Sequence, residues 1–131
     1  MGKPAVIPGR GRWALTVRSG PRVERSRFRT AGDALDALEA RAQELAGTAE
    51  RQEVKFLARR IEPAAQVAVR LEIAGPWRAG SPRAGVDLRG DGSAEAYTGR
   101  VQRRLIEQRR GESAVAALRR VLAPAVPPRA T

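Results

Sequence analysis

The sequence predicts an α+β fold: a mainly antiparallel sheet of five to six strands with two helices packed on one face, in the order β-β-α-β-β-β-β-α. Three observations predict it. Val67, Val69, Leu71 and Ile73 alternate with Ala68, Arg70 and Glu72, which is the period-two signature of a half-buried strand. Asp91-Gly92 separates two further alternating runs, and a two-residue type I′ hairpin favours this dipeptide because both positions need positive φ. Leu35, Leu38, Ala42 and Leu45 recur at helical spacing, with Asp36, Glu39, Arg41 and Glu44 mostly off that stripe.

Taken in order, residues 1–12 hold two Pro and three Gly with almost no apolar periodicity, and they read as a flexible basic arm. Trp13, Leu15 and Val17 alternate with Ala14, Thr16 and Arg18, giving the first strand; Ser19-Gly20-Pro21 turns the chain. The returning run places Arg25, Arg27 and Arg29 on one face, with Arg18 as a cross-strand neighbour. Thr30 followed three residues later by Asp33 approximates a capping box that opens the first helix, and Gly47 is the expected stop.

Residues 48–62 fit either a second helical stretch, with Val54, Leu57 and Ile61 on one face, or a strand. A strand over 54–60 is preferred, because the strongly alternating run at 66–73 needs a neighbour and Pro63 closes the segment. Residues 74–84 are a loop with two Pro and Trp77 as its large apolar side chain. After Asp91-Gly92 the chain returns in one long strand, with Tyr97, Val101 and Leu105 on the core side and Arg100, Gln102 and Arg104 on the wet side. Residues 113–122 form the last helix, with Val115, Leu118 and Leu122 inward and Arg119 and Arg120 complementing the dipole of its final turn. A single domain therefore spans 13–122, followed by an extended Pro-rich tail at 123–131. The run Arg22-Val23-Glu24-Arg25 ahead of one helix echoes Arg100-Val101-Gln102-Arg103 ahead of the other, which suggests duplication of a sheet-plus-helix unit.

Composition narrows the function. A chain of 131 residues without Cys or His has no thiolate metal site, no disulfide and no imidazole base. The fragments Asp87, Asp91 and Gly92 do not make a calcium loop, since Arg89 fills a ligand position and Thr98 stands where a bidentate Glu is needed. No phosphate-binding Gly-rich loop and no nucleophile with its base is present, so no enzyme, cofactor, metal or small-molecule substrate is indicated. No run is long and apolar enough to span a membrane or direct secretion, and the reading is a soluble, cytoplasmic protein.

The formal net charge of +11 points to a polyanion, nucleic acid or a ribonucleoprotein. It is segregated: residues 1–30 carry net +7, residues 31–62 net −2 and residues 63–131 net +6. Of the 25 basic residues only Lys3 and Lys55 are not Arg, a bias that GC-rich coding also produces.

The candidate phosphate contacts are Arg10, Arg12, Arg18, Arg25, Arg27, Arg29, Arg100 and Arg104, with Trp77 a candidate stacking platform. Arg10-Gly11-Arg12 resembles the core of an AT-hook, which implies a minor-groove contact. The strand-strand-helix order resembles the small arm-binding domain of phage-type integrases. The other class of reading is a protein-interaction or homo-oligomerisation domain, in which the Leu stripe or a sheet edge meets a protein and the Arg excess is compositional.

Overall fold

The structure is a computed structural model that describes residues 12–57, 67–76, 83–99 and 103–123, with side chains described as far as residue 46 in the long helix. The predicted class is found: six antiparallel strands and two helices in the order β-β-α-β-β-β-β-α. The strands are β1 (Trp13–Ser19), β2 (Arg22–Phe28), β3 (Val67–Ala74), β4 (Arg83–Arg89), β5 (Ala94–Thr98) and β6 (Arg104–Leu105); the helices are α1 (Ala31–Leu57) and α2 (Ala114–Leu122). Across the sheet they run β2-β1-β3-β4-β5-β6. The hairpins β1–β2 and β5–β6 therefore flank the central pair β3–β4, and each hairpin leads into a helix.

Register decides which side is buried. Leu15, Ile73 and Ala84 lie in one cross-strand row, Val17, Leu71, Val86 and Ala96 in a second, and Val69 with Leu88 in a third. All are buried, and they form one cluster with Ala34, Leu35, Leu38 and Ala42 of α1 and Ala114, Ala117, Leu118 and Leu122 of α2. Both helices thus cover the same sheet face. Alanines at the contact, Ala34 and Ala117, are fully buried and let the helix backbones approach the strands. Truncating a side chain as enclosed as Leu38 costs about 2–5 kcal/mol, because the cavity left behind collapses only partly. Arg119 of α2 ties the helices together, its Nη2 donating to Asp36 Oδ1 at 2.7 Å and Glu39 Oε2 at 2.9 Å.

Local chemistry accounts for the ends. Thr30 Oγ1 accepts from the Asp33 N–H at 3.1 Å, as the capping signature predicts, and Ser113 Oγ accepts from Ala116 N–H at 3.1 Å to start α2. The first hairpin turns through Gly20, φ +59°, followed by Pro21, the arrangement in which a Gly at the first central position matches the strand twist.

Three local expectations are corrected. Gly47 does not stop α1, which runs on through Leu57, so no strand forms at 54–60. An interior Gly costs a helix only about 1 kcal/mol against Ala, and the Ala, Glu, Arg and Gln side chains that follow are good helix formers. The Asp91-Gly92 hairpin is not a two-residue turn. Gly92 N–H donates to Arg89 O, Arg89 N–H donates to Ser93 O, and of the two loop glycines Gly92 has positive φ, so three residues lie between the hydrogen-bonded Arg89 and Ser93. The long return strand is also broken: Gly99, φ +113°, ends β5, and the chain folds back so that β6 pairs with β5. The class survives because β6 replaces the strand lost at 54–60.

Candidate nucleic-acid interface

The sheet face away from the helices is built by the alternate residues of each strand. One cross-strand row reads Val23, Arg18, Arg70, Asp87, Glu95 from the β2 edge inward. The next reads Arg25, Thr16, Glu72, Gly85, Tyr97, Leu105. A third reads Arg27, Ala14, Ala74, Arg83. Arginines lie along the whole face. What differs along it is whether a carboxylate stands beside them.

In the centre every such arginine on β3 and β4 has one. Arg70 holds Asp87 with two bonds, Nε to Oδ1 at 2.7 Å and Nη2 to Oδ2 at 3.0 Å, a bidentate match of fork to carboxylate. That hydrogen-bonded carboxylate is the main reason the Arg70 guanidinium binds its proton even more tightly than usual. Arg83 Nε reaches Glu72 Oε1 at 3.0 Å, and Arg89 Nη2 reaches Glu95 Oε2 at 2.7 Å. Three cations meet three anions.

Tyr97 locks this centre. Its register partner is Gly85, and a Cβ there would overlap Leu71 O and sit 2.8 Å from the Tyr97 hydroxyl, so only a glycine leaves the ring room to lie across the strand. The hydroxyl donates to Glu72 Oε2 at 3.0 Å, and the ring lies under the Arg103 guanidinium at 4.9 Å and that of Arg70 at 5.8 Å. Only 2% of Tyr97 is exposed. Burial, followed by the nearby Glu72 carboxylate, pushes its phenol well above the ordinary range.

At the β1–β2 edge the same face has no acid. Its residues are Ala14, Thr16 and Arg18 on β1 and Val23, Arg25 and Arg27 on β2; the single carboxylate of this hairpin, Glu24, projects to the helix side, where Arg41 Nη2 donates to it at 2.8 Å. Arg18, Arg25 and Arg27 are all exposed. Arg18 stands directly opposite Arg70, but Arg70 is committed to Asp87 on its far side. Among the described residues no carboxylate lies within ion-pair reach of Arg18, Arg25 or Arg29. Arg12 and Arg29, both exposed, follow the Trp13–Phe28 pair at the end of the hairpin and extend the basic strip.

Of the predicted contacts, Arg12, Arg18, Arg25, Arg27 and Arg29 thus gather along one hairpin. Arg104 does not join them. Arg104 pairs with Thr98 at the far edge of the sheet and shares the parity of Ala94 and Ala96, the helix side, because the third loop residue between Arg89 and Ser93 shifts β5 by one position against β4. For the same reason Tyr97 and Leu105 belong to the open face and not to the helix-covered core, and Leu105 is 69% exposed. Arg10, Arg100 and Trp77 lie outside the described residues, as do Val101 and Gln102. Sequence reasoning missed Arg70, Arg103 and Tyr97 as a unit; the signal was Gly85 inside an otherwise alternating strand, where a missing side chain marks a close approach.

On the helix side, a cavity of about 510 Å³ opens between the first hairpin and α1, lined by Val17, Ser19, Pro21, Arg22, Glu24, Arg41, Glu44 and Leu45. Arg41 spans it from Glu24 to Glu44, at 2.8 and 2.9 Å. Among the described residues no group of His, Cys, Asp or Glu is placed to hold a metal ion, and no helix is long and apolar enough to cross a membrane. No protein-family model matches the chain, and neither a curated protein nor a solved structure is significantly similar to it.

Proposed function

We propose that the protein is a non-enzymatic module that binds nucleic acid, bare or within a ribonucleoprotein, through the outer face of the β1–β2 hairpin. The observation that supports this reading is the placement of Arg18 and Arg25 on one exposed face to which the hairpin supplies no carboxylate, while each arginine on the same face of β3 and β4 is neutralised within the fold. Compositional bias would distribute arginines without regard to their partners. Here the fold spends its open-face carboxylates on the centre and leaves the edge cationic, which costs the hairpin some like-charge repulsion that a bound phosphate chain relieves.

The test is anisotropy of labelled random-sequence duplexes and single strands at stepped ionic strength. Binding at low salt whose affinity falls steeply as salt rises supports the reading, because each neutralised phosphate releases counterions. Absence of any complex at low ionic strength removes it.

A second reading has its own observations. β2 ends the sheet, and Val23 on it is 51% exposed, so its outer edge is open to pairing with another strand. Light scattering on the purified protein separates the two: a concentration-dependent dimer without affinity for oligonucleotides favours protein pairing.

A further inference from the structure

Resting on that proposed function, we infer that the ligand is held by its phosphodiester backbone, along a single strand of phosphates, with no base stacked on the sheet and no adenine edge read by an amide. Sheets that recognise single strands through their bases present exposed aromatic rings at the centre of the open face. The corresponding place here is Tyr97, and it is closed: 2% exposed, its hydroxyl on Glu72, its ring beneath Arg103 and Arg70. The other two described aromatic side chains, Trp13 and Phe28, share the parity of Leu15 and belong to the helix side. The amide side chains that read adenine are also missing from the hairpin, since the chain has no Asn and neither β1 nor β2 carries a Gln.

What the hairpin offers instead is charge at regular intervals. Arg25 and Arg29 are four residues apart along the direction of β2, so their Cα atoms stand about 13 Å apart, close to two phosphate intervals along one nucleic-acid strand. Arg29 continues the row one residue past the end of β2, and Arg18 lies on the neighbouring strand, roughly 5 Å across. Thr16, the register partner of Arg25, adds a hydroxyl between the two cationic strands. The strip ends where β3 begins, because there Arg70 and Glu72 are already paired with Asp87 and Arg83. A cationic strip two strands wide accommodates one phosphate chain; it does not span a groove.

The experiment compares three probes of equal length on the full chain: a mixed-sequence single strand, an abasic single strand and a duplex, each titrated at several salt concentrations, with the wild type and with Arg18→Gln/Arg25→Gln. Backbone contact without stacking predicts that the abasic and base-bearing single strands bind within about twofold of each other, whereas stacking of even one base would favour the latter by roughly tenfold. It also predicts that the double variant lowers the slope of log K against log salt by about 1.4 for single strands and about 1.8 for the duplex. A base-bearing strand preferred by tenfold or more, or a slope unchanged in the variant, overturns this inference while leaving nucleic-acid binding standing. If none of the three probes binds at low salt, the proposed function fails and this inference with it.

Discussion

The centre and the β2 edge of the open sheet face carry the same cation and use it in opposite ways. In the centre, Arg70, Arg83 and Arg89 are matched by Asp87, Glu72 and Glu95 on neighbouring strands, and Tyr97 is sealed beneath arginines. At the edge, Arg18 and Arg25 stand on strands that supply no carboxylate to their face. The lesson is that an arginine count says little until register is known. A guanidinium opposite a carboxylate belongs to the fold, and one without such a neighbour is available to a partner. Substitutions should therefore divide sharply, with central ones changing stability and edge ones changing affinity.

The largest effect is expected at Gly85. Gly85→Val places side-chain atoms against Leu71 O and the Tyr97 hydroxyl, both of which a Cβ alone already overlaps, and should cost about 3 kcal/mol or more, read as a lower urea midpoint. A loss below about 1 kcal/mol would mean that Tyr97 does not lie across this strand. Next comes Asp87→Ala, which leaves Arg70 in a partly buried position without its bidentate partner. The Asp87 side chain is only 14% exposed, so a loss of about 1–3 kcal/mol is expected, well above that of a surface pair. Tyr97→Phe keeps the ring and removes one hydrogen bond to Glu72, for about 1 kcal/mol by the same denaturation measurement.

Tyr97 is the chain's single tyrosine, so its ionisation can be followed by absorbance without interference. Its folded pKa is raised by burial, so the phenol should remain neutral through the range in which an exposed tyrosine ionises, near 10. The linked stability is fully present below that unfolded value and is lost as pH rises from there through the folded pKa. An ordinary titration curve in the folded protein would contradict the closed centre. The smallest stability effect belongs to the edge: Arg18→Gln or Arg25→Gln should change the unfolding free energy by no more than about 0.5 kcal/mol in either direction. Away from both regions, Glu112 provides an internal control. Arg120 and the Arg109 N–H hold its carboxyl down to about 2, so a carboxylate-detected NMR titration should show it ionised until pH falls through that value. Its contribution is present above the ordinary carboxylate range and is lost on that acid limb.

Much of the scaffold was legible because period and capping chemistry are local. The alternation of Val67, Val69, Leu71 and Ile73, the stripe of Leu35 and Leu38, and the Thr30 cap each lie within a few residues of the element they define. The errors arose where a glycine had two possible readings. Gly47 has the local signature of a stop and is a helix interior; Gly99 sits in an alternating run that predicts one strand and is a break. The hairpin carried further than its size, because a third residue between Arg89 and Ser93 shifts β5 by one position against β4, which puts Tyr97 on the open face and takes Arg104 off it. The neutralised centre was not legible at all: Arg70 and Asp87 are seventeen residues apart, and only the β3–β4 register makes them neighbours.

The division of the open face is tested most directly by one comparison: the salt dependence of duplex binding for the wild type and for Arg18→Glu/Arg25→Glu, with thermal unfolding of both. The account predicts a wild-type slope of about −3 to −4, from three or four phosphates neutralised, and its collapse in the variant at an unchanged unfolding midpoint. A wild-type affinity indifferent to salt, or a variant that binds as the wild type does, would contradict it.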